Sequence, residues 1–456
     1  MHINHKWRWI IGLSSMILNP LANASNDFDC ININNDVSVI KDIKDKELYL
    51  NELSAEVKPF DFNSNLPYQQ YVATTQQFIL AKNPKAKMKC PILNDTIKLL
   101  NPQQNAQNLT VSDLVSPFEL KAGNNKVGVL LIHGLTDSPY LFHDLAPKFY
   151  HEGINVRTLL LPGHGTAPSA LIDTSYRDWQ LATRYAIQQM LNDYQQVYLG
   201  GFSTGGALII DHLVNAKANE QSYDKIKGLL FWSPASKAKS NLAWLAQYVD
   251  YIPWVDYVGK GADIDFAKYE SFPFNAGAQV HKLMNSIAAK KLAKKSLPDI
   301  PMFIATSNVD QTIASQATVD LFEAWHNFSD RSSATKDEFV LYADKEAVLT
   351  IPSGLPITKM ACSDKQTCNS IVDIAHTSPT NAPSNLHYGQ RGSYRNCEHI
   401  LDDNNFVQCK TSDNNQRGEV TGENTKKYPH MQRLTFNPMF EQTWQKITGF
   451  IQRTSN

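Results

Sequence analysis

Beyond its first residues the sequence has no apolar run near the ~18 uninterrupted side chains that a membrane-spanning helix needs, so no span is expected in the mature chain. Charge of one sign is also missing. The 43 Lys and Arg stand against 44 Asp and Glu, a formal net charge of -1. Without a strong field of one sign, nucleic acid is not expected as the main partner. There is no Cys/His spacing of the zinc type, no phosphate-binding glycine loop and no internal repeat. No metal or cofactor is therefore expected. The sequence leaves the oligomeric state open.

What is present starts at the N-terminus. A short basic stretch (His5, Lys6, Arg8) leads into the apolar run Trp9 to Leu18 and then the small-x-small set Ala22-Asn23-Ala24. That order predicts a secretory signal peptide over residues 1–24, and hence a protein exported to the periplasm or beyond. All six cysteines follow it: Cys30, Cys90, Cys362, Cys368, Cys397 and Cys409. An even number in an exported chain predicts disulfides. Spacing cannot choose among 15 pairings, but proximity favours Cys30–Cys90, Cys362–Cys368 and Cys397–Cys409.

Residues 25–125 are polar and Asn-rich, with one helix-like stretch, PYQQYVATTQQFILAK, and are expected to pack as an extension against the main domain, 126–456. From Lys126 the texture changes. KVGVLLIHG, NVRTLLLPGHG, QQVYLGGFS, IKGLLFWSPA, IPMFIATS and DEFVLYA are apolar runs of the kind that form strands buried on both faces. Helix-like stretches separate several of them. That alternation predicts an α/β fold with a mostly parallel sheet and helices on both faces. Residues 236–298, aromatic-rich and helical in pattern, interrupt the alternation where a small helical cap would be inserted. Residues 344–430 are loop-like and carry four of the cysteines.

Ligands of an open α/β sheet bind beyond the carboxyl ends of its strands. After the third apolar run comes Gly201-Phe202-Ser203-Thr204-Gly205, a G-x-S-x-G. A tight turn alone would account for glycines. Between a strand-like and a helix-like run, however, the pattern presents an exposed serine on a sharp turn, and Gly201 and Gly205 prevent collisions there. Ser203 is the expected nucleophile. The acid of such a set follows a later strand, and Asp310 stands after IPMFIATS. No histidine comes soon after DEFVLYA, so strand proximity does not choose among His376, His387, His399 and His430. His376, in the small polar run HTSPT, is the first choice and His387 the second. Backbone N–H groups of Leu135, after His133-Gly134, and of Thr204 are the expected oxyanion donors. His164, in LPGHG, reads as structural.

LLIHGLTDSP, LPGHG, DWQLATRYAIQQ, GGFSTGG, SNVDQT and KYESFPFNAGAQ together resemble the bacterial carboxylesterase and monoacylglycerol-lipase-like branch of the α/β-hydrolases, over residues 117–450. The resemblance implies the α/β-hydrolase fold and an esterase acting on a small ester or lipid-like substrate. It matches Ser203, Asp310, Leu135 and Thr204 to family positions, and HTSPTNAPSNLHYG supports His376 over His387 as the base. The long gap from Asp310 to His376 departs from the family pattern. On the same triad, a serine peptidase or an acyltransferase is the alternative, and a non-catalytic binding protein on the same scaffold is another.

Overall fold

The computed structural model describes residues 28–123, 126–215, 223–239, 256–295, 297–328, 331–343 and 349–455. The leader expected over 1–24 and the cap aromatics Trp244, Tyr248, Tyr251 and Trp254 lie outside the described residues.

The strands run in chain order as β1 (Glu119–Leu120), β2 (Val127–Ile132), β3 (Asn155–Leu159), β4 (Gln196–Phe202), β5 (Ile226–Trp232), β6 (Tyr257–Gly259), β7 (Phe272–Pro273), β8 (Met302–Ser307), β9 (Glu338–Tyr342), β10 (Ile357–Met360), β11 (Arg417–Gly418) and β12 (Gln432–Arg433). Eight of them form one sheet in the order β1-β3-β2-β4-β5-β8-β9-β10. β1 is antiparallel to β3, and the other pairings in this sheet are parallel.

Strand side chains alternate between faces, and here both faces are buried. Leu130 and Ile132 of β2 enter one core with Leu199, Phe231 and Trp179. Val129 and Leu131 enter the opposite core with Tyr198, Trp232 and Phe450. The first core is covered by the helices Tyr176–Asp193, Thr204–Asn215 and Ser315–His326, the second by Leu145–His151 and Phe440–Thr454. This is the α/β architecture that the alternating sequence predicts. Local chemistry fixes some of its starts. At Ser175 a capping box begins the helix Tyr176–Asp193: Asp178 Oδ2 accepts the Ser175 N–H at 2.8 Å.

The N-terminal segment is woven into this core. In its helix Tyr68–Lys82, Tyr68 accepts the Thr158 N–H at 3.1 Å and Tyr71 accepts the Leu160 N–H at 2.8 Å. Both rings belong to the first core. β1 also precedes the change of texture at Lys126, because a two-residue edge strand carries no periodic signal.

Two regions contain more regular structure than their sequences predict. Residues 256–295 contain the helix Phe274–Ser286 and also the antiparallel pair β6 and β7. The loop-like 344–430 contains β10, β11 and the helices Asp403–Thr411 and Gly422–Lys427. β10 is only partly buried along its length, and the helix Asp403–Thr411 is mostly polar, so neither shows a strong apolar pattern. Three disulfides join Cys30 to Cys90, Cys362 to Cys368 and Cys397 to Cys409, the pairs favoured by proximity.

Loop-closure entropy ranks these disulfides. Cys30–Cys90 closes 60 residues and Cys362–Cys368 closes 6. Removing the first with paired Cys→Ser substitutions is expected to lower unfolding free energy by up to about 4 kcal/mol, and removing the second by up to about 2 kcal/mol. Urea unfolding of the two variants measures the difference.

Candidate active site

β4 ends in Gly200-Gly201-Phe202, and the helix Thr204–Asn215 starts one residue later. The turning residue, Ser203, has φ +48°, in the left-handed region. A non-glycine residue there is strained by roughly 1 kcal/mol or more. The surroundings hold it: Ser203 N–H donates to Trp232 O at 3.0 Å, and its carbonyl accepts from Ala235 N–H at 3.0 Å. A Cβ on Gly201 would lie 2.4 Å from Gly206 N, and one on Gly205 would lie 2.0 Å from Ile132 O. Gly200 and Gly206 face side chains instead (Leu131 and Pro234), which is a packing role.

Asp310 follows β8 and is fully buried. Its Oδ1 accepts the N–H groups of Thr312 and Ile313 at 2.7 and 2.8 Å, leaving Oδ2 to accept from His376 Nδ1 at 2.6 Å. A carboxylate only accepts, so Nδ1 carries the ring proton. His376 Nε2 is then an acceptor, 3.2 Å from Ser203 Oγ. Serine, imidazole and carboxylate form one hydrogen-bonded chain.

The other histidines lie elsewhere. His387 is buried, with Nε2 3.0 Å from Asp265 Oδ1 and Nδ1 3.1 Å from Ser393 Oγ. It stands against Phe266, with ring centroids 4.4 Å apart. His399 borders the same pocket as Ser203, but burial pushes its pKa down to about 4. His430 lies in the turn before β12.

Two further histidines shape the loop after β2. His133 Nδ1 donates to Gly134 O at 2.7 Å and Nε2 accepts the Leu161 N–H at 3.1 Å. His164 Nδ1 donates to Pro162 O at 3.0 Å and Nε2 accepts the Thr136 N–H at 3.0 Å. Each ring is locked as one neutral tautomer, and burial holds both well below the usual histidine pKa. Between these anchors, the Leu135 N–H has no hydrogen-bond partner among the described residues, and neither has the Thr204 N–H. Both residues line the pocket of Ser203 and His376.

That pocket has a volume of about 940 Å³. Apolar lining comes from Val258, Phe272, Phe274, Val280 and Met284, and the same segment adds Lys268, Glu270 and His281. Polar lining comes from Tyr394, Asn396, Glu398 and His399 of the disulfide-bearing region and from Arg433, with Tyr394 donating to Glu270 Oε1 at 2.7 Å. Among the described residues, no three His, Cys, Asp or Glu side chains are grouped as metal ligands would be.

A family model described as "Alpha/beta hydrolase family" matches residues 129–348. With its mostly parallel eight-stranded sheet, the chain is α/β-hydrolase-like. Over 239 residues the hydrolase is 25% identical to a thermostable monoacylglycerol lipase of Bacillus sp. (strain H-257), a match covering 52% of this chain and 88% of that protein. Solved structures similar to it include a Paleococcus ferrophilus monoacylglycerol lipase (17% identity, TM-score 0.38, covering 54% of this chain and 88% of that one). Another is a soluble variant of Saccharomyces cerevisiae monoglyceride lipase (15% identity, TM-score 0.40, covering 50% and 82%).

His376 lies outside the 129–348 match, and the hydrolase holds it with a device its sequence does not announce. Glu419 is fully buried just after β11. Its Oε2 accepts the His376 N–H at 2.9 Å and faces the Gln311 N–H at 3.4 Å. Its Oε1 accepts from Arg433 Nε at 2.8 Å, and Arg433 Nη2 donates to Thr312 Oγ1 at 2.8 Å. One ion pair thus ties the His376 loop to the Asp310 loop. Burial alone would raise the Glu419 pKa, but the Arg433 charge and the hydrogen bonds outweigh it and hold the carboxyl below its ordinary value.

Glu419→Gln leaves Arg433 without its counter-charge. Breaking a buried pair typically costs about 3–5 kcal/mol, and the partial exposure of Arg433 places the expected loss near the lower end, ~3 kcal/mol. Because the folded pKa of Glu419 is depressed, its contribution is complete above the ordinary value of 4.5 and is lost as pH falls through the lower folded value. Urea unfolding from neutral to acid pH should show the gap between wild type and variant closing below pH 4.5.

Proposed function

We propose that this chain is an exported serine hydrolase that cleaves carboxylic esters of partly apolar, lipid-like substrates. The observation that carries the reading is the chain Ser203 Oγ–His376–Asp310, with links of 3.2 and 2.6 Å, beside the unpartnered N–H groups of Leu135 and Thr204. Ser203 attacks the ester carbonyl as His376 Nε2 takes its proton. Asp310 keeps the imidazole in the required tautomer and stabilises the imidazolium. The developing oxyanion is held by the two backbone N–H groups. His376 then passes its proton to the departing alcohol. Water, activated by the same imidazole, releases the acid from the acyl-enzyme.

The apolar lining supports an acyl chain as the buried part of the substrate, and the lipase relative supports a lipid-like ester. Three disulfides and the leader-like N-terminus support export. Among the described residues no helix is long and apolar enough to cross a membrane.

Short p-nitrophenyl esters, monoacylglycerols, aminopeptidase substrates and acyl acceptors separate hydrolysis of esters from the peptidase and acyltransferase readings. On the ester that turns over fastest, Ser203→Ala and His376→Ala are expected to lower kcat roughly 10⁴–10⁶-fold. His387→Ala, once shown to be folded, should stay within about tenfold of wild type, since the hydrogen bonds it removes go to Asp265 and Ser393 and not to Ser203. Near wild-type turnover in His376→Ala would remove it from the mechanism.

A further inference from the structure

A second cleft of about 660 Å³ opens in the disulfide-bearing region and shares no lining residue with the pocket of Ser203. Three guanidinium groups border it, those of Arg391, Arg395 and Arg417, with Asp413 the one carboxylate. Asp413 pairs with Arg395. Arg417 is partly buried and is held by neutral acceptors: its Nε donates to Gln432 Oε1 at 2.9 Å and its Nη1 to Gln390 O at 3.0 Å. Among the described residues, neither Arg391 nor Arg417 has a carboxylate at ion-pair distance. Burial and the neighbouring Arg395 charge push the Arg417 guanidinium pKa down, and the Asp413 carboxylate only partly offsets them.

Like charges gathered in a partly desolvated cleft are unfavourable unless a counter-ion joins them. The framework holds two of them, Arg417 and Arg395, in place. Arg417 is in β11, where its N–H donates to Ser370 O at 2.8 Å and its carbonyl accepts from Val372 N–H at 2.8 Å. Arg395 lies beside the Cys397–Cys409 disulfide, and its Nη1 donates to Lys410 O. Planar guanidinium forks held in place suit an oxyanion better than a point charge would. We propose that this cleft is a binding site for a phosphate-type oxyanion, carried by a soluble ligand or by an anionic lipid headgroup.

The test uses the whole mature chain. Inorganic phosphate is titrated calorimetrically against chloride at equal ionic strength. Sedimentation with phosphatidylglycerol vesicles, and with phosphatidylcholine vesicles as control, tests the headgroup. Arg417→Gln and Arg391→Gln are measured in parallel. Arg391 is exposed, so its variant keeps the test open if the first fails to fold. Saturable phosphate binding, weakened on the order of tenfold by each substitution, is expected. Arginine-dependent retention by phosphatidylglycerol but not phosphatidylcholine assigns the oxyanion to a lipid. Phosphate binding without vesicle retention assigns it to a soluble ligand. The proposal is overturned by absence of both, or by wild-type affinity in the folded variants. Ester hydrolysis enters none of these readouts, so failure here leaves the reading of Ser203 untouched.

Discussion

A missing methyl group at residue 205 sets the layout of this molecule. The helix that follows Ser203 begins so close to β2 that a Cβ on Gly205 would sit 2.0 Å from Ile132 O. Only glycine allows that approach, and only that approach turns the chain sharply enough to leave Ser203 at φ +48° at the carboxyl end of the central strand β4. The proximity also brings the first N–H of the helix and the loop after β2 to one pocket. Buried hydrophobic surface on both faces of the sheet supplies the force that holds this strained junction.

Where the information is local, the sequence is legible. Glycines at a strand–helix junction, apolar runs buried on both faces and a carboxylate after the strand ending in Ser307 each lie within a few residues of what they specify. The choice of histidine is different. His376 and His387 stand in one polar run, and what separates them is tertiary: one meets Asp310, the other Asp265. The HTSPT context and the family resemblance favour His376, and only this residue is hydrogen-bonded to Ser203 among the histidines weighed. Glu419 and Arg433 leave no such trace. Glu419 lies 43 residues beyond the N–H it accepts, in a stretch whose polar residues look alike until they are folded. The N-terminal segment is similar. Its helix is recognisable, but the role of Tyr68 and Tyr71 as caps on the edge of the sheet depends on residues about 90 positions later.

The hydrolase is assembled from parts of unequal generality. The family match spans 129–348 and contains Ser203, Asp310 and both unpartnered N–H groups. The histidine and the ion pair behind it come from the disulfide-bearing region that follows. That region also lines the pocket with Tyr394, Asn396, Glu398 and His399. A common scaffold thus holds Ser203 and Asp310, while the cross-linked segment that follows holds His376 and lines part of the pocket. The disulfides at 362–368 and 397–409 then have a reason beyond stability, since they bracket the segment in which His376 must keep its place.

The central claim is that Ser203 carries the acyl group. Rapid quenching during turnover of a p-nitrophenyl ester, followed by digestion and mass measurement of the peptide containing Ser203, tests it directly. The account predicts a burst of p-nitrophenol stoichiometric with enzyme and an acyl group on Ser203 that decays at the steady-state rate. Full turnover with Ser203 unmodified, or with the acyl group on another residue, would contradict it.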